Sequence, residues 1–496
     1  MQEALPQPEI NIHDLLFPFQ GEDRDKLITL PRGILGSEMG TGKTEVFIAM
    51  CDKLQLNRTL IAAPKTMVLE WKDRIEKRLG IPASVPYGTV EGKYHRFSLG
   101  KEHFGNHFLI VSHEMMRMER YLEVLKLVPW DAIGYDEAHR FKNRKAKQTY
   151  GAQLLATRTE RLVHITGTPF ENYPDELWSL LNMLDSKEWG PYNAFVKEYC
   201  IQVPSPWGPR IVGPNKKNQP ELRRRLHEIM IRRERIDVMK DLPGKFPTRH
   251  IPVQFSEKQH NAYRRMEQEY VVALKDGENL FAPSMLARLT RLRQISLDPG
   301  TIGIDAPSAK ADTLLDLLKD FTRDQKVIVF SYYASFLRRF AEKLEPGTFE
   351  MIIGGQTAQE RRNARLRIQE ADVIRVGLVS LMAGGVGIDL TSASVAIFTD
   401  IFWTPSVNHQ AEDRLDRFGQ ENKVSIIRLV APNTIDDDMN KLEEKKEKVF
   451  NETVAIHTAV QGIVERNNAK DMEFLMQHAI SDAVQIFTLE DDREGE

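Results

Sequence analysis

GSEMGTGKT occupies residues 36–44, and its three glycines, lysine and threonine match a phosphate-binding turn between a strand and a helix. The surrounding RGILGSEMGTGKTEVFIAMCDKL runs from a short apolar strand through the turn into an amphipathic helix. Gly40, Thr41 and Gly42 form the candidate cradle, because glycine lets the backbone turn tightly and point its amides at phosphate oxygens. Lys43 can reach the β- and γ-phosphates, and the Thr44 hydroxyl can help hold magnesium. The helix that follows brings its positive end to the same anion. Ser37 stands where the strict Gly-x-x-x-x-Gly-Lys pattern begins with glycine.

Further apolar runs follow: TLIAAP (59–64), HFLIVS (107–112), WDAIGYDE (130–137) and RLVHITG (161–167). Helical or polar stretches separate them, the alternation expected of a parallel sheet buried on both faces. Residues 175–241 read as mainly helical, with a Pro/Gly-rich break at PSPWGPRIVGPNKKNQP and a basic stretch, LRRRLHEIMIRRERIDVMK. DLPGKFP (241–247) reads as a hinge. Beyond it come the extended HIPVQF, a helix-rich region over 257–298, and a second alternating unit. The strands predicted there are KVIVFS (326–331), FEMIIGG (349–355), RVGLVSL (375–381), SVAIFTD (394–400) and VSIIRLV (424–430). The expected organisation is a first lobe over 1–245 with a helical insertion at 175–241, a helical segment and second lobe over 246–450, and a helical extension with an acidic tail over 451–496.

Asp136 and Glu137 end an apolar strand, where side chains can project into a crevice beyond the sheet. Asp136 suits magnesium, held through water, and Glu137 suits orientation or deprotonation of an attacking water. His139 fits either a structural hydrogen bond or a relay of nucleotide state. Gln20 in LFPFQ can read adenine with its amide, although a turn after Pro18 accounts for the same letters. In HQAEDRLDRFGQ (409–420), Arg414 and Arg417 share one face if the segment is helical. With Gln410 they can close on a γ-phosphate as arginine fingers do, or they can pair with Glu412, Asp413 and Asp416.

With 68 Lys and Arg against 71 Asp and Glu, the formal net charge is -3, so any polyanion groove must rest on local basic patches. Segments 142–147, 223–235 and 288–293 are the candidates. Two cysteines, Cys51 and Cys200, lack metal or disulfide spacing and fit a reducing compartment. The first residues lack a secretory pattern, and no apolar run is long enough to span a bilayer. The expectation is a cytoplasmic protein, of a bacterial cell or of virus-infected host cytoplasm, without membrane function.

Over nearly its whole length the sequence resembles the SNF2 family of superfamily 2 helicase-like ATPases. The motifs carrying the resemblance are GSEMGTGKT, APKTMVLEWKDRI with Pro64 and Trp71, DEAHRFKNRKA, ITGTPFENYPDELWSLLNML, MIRRERIDVMKDLPGK, RLRQISLDP and SAK, followed by KVIVFS, SLMAGGVGIDLTSASVAIFTDIFWTPSVNHQAEDRLDRFGQ and TID. The resemblance implies an α/β fold of two RecA-like lobes with parallel sheets, helical insertions and a helical C-terminal extension. It implies an ATP set of Gln20, Lys43, Thr44, Asp136, Glu137, Gly385, Arg414 and Arg417, with Mg2+ as cofactor. Ser112, Thr166, Thr168, Ser380 and Trp403 resemble positions near the nucleic-acid track or interlobe coupling. Ser37, Asp389 (often Asn in the family) and Asp416 (often His) are departures. The implied activity is ATP-driven translocation on double-stranded DNA, by a compact bacterial or viral type of enzyme. Single-stranded or forked DNA is a further candidate substrate, and no protein partner is indicated. Two other readings fit the same motifs: a strand-separating DNA or RNA helicase, and an ATP-regulated DNA-binding or recruitment protein with little turnover.

Overall fold

A computed structural model describes residues 11–86, 107–169, 174–204, 209–238, 243–273, 279–281, 284–384, 389–403, 405–417 and 419–454. The chain divides into two compact units, Met1–Asp241 with Lys448–Ile463, and Leu242–Glu447 with Val464–Glu496. Each is an α/β lobe of RecA-like type built on one parallel sheet.

In the first unit the strands are β1 (Arg32–Leu35), β2 (Thr59–Ala63), β3 (Ala83–Ser84), β4 (Phe108–Ser112), β5 (Ala132–Asp136) and β6 (Arg161–Ile165). The short β9 (Met230–Ile231) joins at the edge, giving the order β3-β4-β2-β5-β6-β1-β9 with every pairing parallel. Every residue of β2 and β4 is buried, which is why these strands read as unbroken apolar runs. The helix Lys43–Lys53 packs closely on this sheet through Phe47. A methyl group at Gly134 of β5 would lie 2.6 Å from the Phe47 ring, so glycine there sets how near the helix can come.

Residues 175–241 depart from the mainly helical expectation. Helices Asp175–Leu184, Tyr192–Tyr199 and Gln219–Ile229 form, but β7 (Cys200–Val203) and β8 (Arg210–Pro214) make an antiparallel hairpin between them. Three of the four β7 residues are exposed, so the apolar alternation that marks a half-buried strand is missing.

The second unit carries β10 (Arg249–Pro252), β13 (Val327–Ser331), β14 (Phe349–Ile352), β15 (Val376–Ser380), β16 (Val395–Phe398) and β17 (Ser425–Val430). Their order is β10-β17-β16-β13-β15-β14, again all parallel. Alternate residues of β13 enter separate cores: Ile328 and Phe330 pack on one face, Val327 and Val329 on the other. A second hairpin, β11 (Val271–Ala273) with β12 (Asn279–Phe281), interrupts the region predicted as helix-rich. Helix Ile435–Val454 is the last described element, and the acidic tail lies outside the described residues.

Candidate nucleotide site

Strand order brings the motifs of the first unit together. β6 lies between β1 and β5, and Ile165 pairs with both Leu35 and Asp136, so three strands end at the same level. The phosphate loop, the Thr166–Thr168 loop and the Asp136–Glu137 pair therefore leave adjacent strand ends, where α/β sheets place their ligands. The amide of Thr166 donates to the Leu35 carbonyl at 3.1 Å, stitching two of these exits.

Within the loop, Gly40 and Gly42 have φ of 80° and 79°, the left-handed region that favours glycine. Gly42 caps helix Lys43–Lys53, and a Cβ there would lie 2.2 Å from Gln20 Nε2. That amide donates to the Thr41 carbonyl at 2.8 Å, while Gln20 Oε1 accepts from the Phe17 amide at 2.9 Å. Gln20 is thus placed against the phosphate loop, on the helix Pro18–Thr29. Lys43 Nζ donates to the carbonyls of Ser37 and Glu38, both at 2.8 Å, and Thr44 follows in the first helical turn.

Asp136 is held on both oxygens: Trp71 Nε1 donates to Oδ2 at 2.8 Å and the Glu137 amide to Oδ1 at 3.0 Å. Trp71 is buried edge-on against Phe47, so the indole orients the carboxylate from a rigid core. Glu137 adopts φ 47°, an uncommon conformation for a side-chain-bearing residue that ends β5 abruptly and starts the short helix Ala138–Phe141. His139 Nδ1 lies 3.1 Å from Thr166 Oγ1 and 3.3 Å from Glu137 Oε2. The Thr166 hydroxyl in turn donates to the Thr168 carbonyl at 3.1 Å, linking the acidic pair to the next loop. Burial, then the neighbouring Glu137 charge, raises the Asp136 carboxyl above its ordinary range. Burial also opposes ionisation of Glu137, but the His139 contact and the charges of Lys43 and Arg140 outweigh it and hold that group low.

Sequence reasoning assigned no site role to Arg232 and Arg233 and grouped them with a DNA-facing patch. They lie instead along the phosphate loop. The Arg232 guanidinium donates to the Gly36 carbonyl at 2.6 Å and reaches the Gly167 carbonyl at 3.4 Å. Arg233 donates from its backbone to Ser37 Oγ at 3.1 Å and from its side chain to Asp23 and Glu22. Ser37, the departure from the strict loop pattern, supplies an acceptor that glycine lacks. The only local signal for this arrangement is the apolar pair Met230–Ile231 ahead of the charges, which pairs with β1. Trp71, though part of a recognised motif, likewise carried no hint of its contact with Asp136.

No cluster of three or more His, Cys, Asp or Glu suited to a metal occurs among the described residues. The donor set fits magnesium nonetheless, since that ion keeps its waters and takes one or two protein ligands together with phosphates. Asp136 would hold it with the Thr44 hydroxyl.

The two predicted arginines lie in the second unit, with one correction. Helix Pro405–Glu412 stops before them, so Arg414 and Arg417 lie in the following turns and share no helical face. Arg414 is buried, and its carbonyl accepts from the Leu390 amide at 2.9 Å. Arg417 pairs with Asp389, the departure from the family's usual Asn, and donates to the Asp413 carbonyl at 2.9 Å. The Glu412 and Asp413 carboxylates face Lys245. Gly385 lies outside the described residues. Ser112 and Ser380 end β4 and β15, both buried, and Trp403 packs on Phe402 with the Arg293 guanidinium over its ring. Several cations of the candidate basic patches serve their own lobes. Lys142 is buried 4.0 Å from Glu176, Arg225 covers the Trp189 ring, Arg288 covers the Tyr270 ring, and Arg293 donates to the Ile401 carbonyl.

The SNF2-related domain family matches residues 29–301, and the helicase conserved C-terminal domain family matches residues 309–419. The chain is 27% identical over 432 residues to the uncharacterized ATP-dependent helicase MG018 of Mycoplasma genitalium, covering 85% of this chain and 40% of that protein. It is 29% identical over 492 residues to the ISWI chromatin-remodeling complex ATPase CHR17 of Arabidopsis thaliana, covering 92% and 43%. It is 26% identical over 434 residues to the DNA annealing helicase and endonuclease ZRANB3 of Bos taurus, covering 85% and 39%. The chain thus spans less than half the length of these relatives. The first family match takes in more than half of the chain and joins the phosphate loop, the acidic pair and the flanking Arg232–Arg233 segment in one domain, so the chain belongs to the SNF2 family of superfamily 2 helicase-like ATPases.

Proposed function

We propose that this chain hydrolyses ATP to move along double-stranded DNA without separating its strands. The observation that carries the reading is the shared exit of β1, β6 and β5, with Lys43, Thr166 and the Asp136–Glu137 pair at one sheet edge. Lys43 and the amides of the 40–44 turn neutralise the phosphates, and Gln20, fastened to that turn, is the candidate reader of the base. Magnesium, once bound, supplies further charge neutralisation on the phosphate oxygens. Glu137, ionised and oriented beside His139, positions the attacking water. The bond from His139 to Thr166 gives the acidic pair a path to the neighbouring loop, through which nucleotide state is passed on. Arg414 and Arg417 are the second unit's candidates for charge stabilisation of the transferring phosphoryl group.

The names of two relatives support a DNA substrate: one is a chromatin-remodeling complex ATPase and another a DNA annealing helicase and endonuclease. Backbone contacts from local basic patches suit a protein of slightly negative net charge and give movement with little sequence preference. The test is ATP turnover of the purified chain with duplex, single-stranded, forked DNA and RNA. Strand displacement from a triplex and from a partial duplex is followed in parallel. Duplex-stimulated turnover with triplex displacement and an intact partial duplex is the expected result. Unwinding of the partial duplex would establish a strand-separating helicase instead. ATP-dependent DNA binding with negligible turnover would establish a recruitment protein.

A further inference from the structure

The second unit begins at Leu242. Lys245 follows almost at once, and its surroundings are fixed. Gly244 and Phe246 on either side bond to Val424, at 2.9 Å and 2.8 Å, and Lys245 itself bridges to Val424 as a parallel strand residue. Its ammonium lies 3.1 Å from Glu412 Oε2 and 3.1 Å from Asp413 Oδ1. These two carboxylates immediately precede Arg414, and the Asp413 carbonyl is the acceptor for Arg417 Nε.

Glu412 is 4% exposed, so its charge depends on nearby cations. Burial opposes its ionisation, but Lys245, then His409 and Arg428, reverse the balance and hold the carboxyl well below the usual range. On the far side Arg428 donates to Glu412 Oε1 at 3.2 Å and pairs with Glu443, which accepts from Asn408 at 2.9 Å. Arg428 and Glu443 lie on β17 and the last helix, so that side of the cluster is anchored in the lobe. Lys245 is the cation contributed by the segment with which the second unit begins.

We infer that Lys245 is a positioning residue for the Arg414–Arg417 segment, clamping it through Glu412 and Asp413 to the extended segment with which the second unit begins. Without the ammonium, Glu412 and Asp413 lose the cation they share, and the turn that carries both arginines relaxes. The inference rests on the reading of Arg414 and Arg417 as phosphate contacts.

The test compares Lys245→Met, Lys245→Arg and Asp413→Asn in the full chain. The measurements are kcat and KM for ATP with saturating duplex, ADP affinity, and thermal melting with and without ADP. Lys245→Met is expected to lower kcat by about tenfold or more, with KM and ADP affinity within about twofold of the unsubstituted chain. Lys245→Arg should recover kcat to within about threefold, since the cation is kept. Asp413→Asn, which leaves the Lys245–Glu412 pair intact, should lower kcat by about threefold and serves if Lys245→Met fails to fold. An unchanged kcat per folded molecule in both Lys245→Met and Asp413→Asn overturns the inference, as does a rise in KM without a fall in kcat. If the unsubstituted chain shows no duplex-stimulated turnover, the function itself fails; turnover there with unimpaired variants refutes only the role of Lys245.

Discussion

Lys43 and Arg417 carry the same charge, yet the two units fix them by different means. Lys43 opens a helix at the end of a buried strand, and its ammonium rests on main-chain carbonyls. Arg417 lies beyond the end of a helix and is held by the Asp389 carboxylate and one carbonyl. The first arrangement is set by sheet register and glycine conformation, so it persists while the strands stay paired. The second depends on side-chain ion contacts, which a change of charge can alter without disturbing the fold. The Lys43 arrangement is the rigid half of this contrast, and the Arg417 arrangement can be retuned.

Substitutions can break this contrast at graded cost. Lys43→Ala and Glu137→Gln remove parts of the rigid half and should lower duplex-stimulated ATP turnover by roughly a thousandfold. Glu137→Gln is expected to keep ATP and DNA binding, so equilibrium binding measured beside turnover separates lost chemistry from lost affinity. Undiminished turnover in that variant would remove Glu137 from the mechanism.

Arg417→Ala should lower kcat by roughly a hundredfold while ADP affinity and the melting midpoint stay close to those of the parent. Full activity would place this arginine outside the site. Trp71→Phe probes how firmly the acidic pair is held. Loss of the indole donor leaves Asp136 Oδ2 without its 2.8 Å partner, at a cost of about 1–2 kcal/mol in stability and several-fold in turnover. Denaturant melts and initial rates together would check it, and a purely structural tryptophan would give the first effect without the second.

The smallest effect has the opposite sign. Asp389→Asn replaces an ion pair with a neutral contact at a partly exposed position, and kcat is expected to rise about two- to threefold as Arg417 is released. A fall in kcat would mean that Asp389 presents Arg417 rather than restrains it.

Much of the fold was readable because parallel strands buried on both faces must be apolar throughout. TLIAA, FLIVS and VIVFS therefore announce themselves in any context. The phosphate loop was equally legible, since left-handed φ at Gly40 and Gly42 strongly favours glycine. The hairpin β7–β8 was not, as its exposed residues carry no burial pattern. The Arg414–Arg417 spacing was misleading: a separation of three means one face only where a helix continues, and this helix ends at Glu412.

Local chemistry thus announced the elements, the phosphate-loop turn and the acidic strand end, because turn geometry and burial act on neighbouring residues. The supports of those groups came from folding. Arg232 meets the Gly36 carbonyl across 196 positions, Trp71 meets Asp136 across 65, and Lys245 meets Glu412 across 167. Each meeting depends on which strands and helices become neighbours. That order results from the packing of whole lobes, and no short motif encodes it.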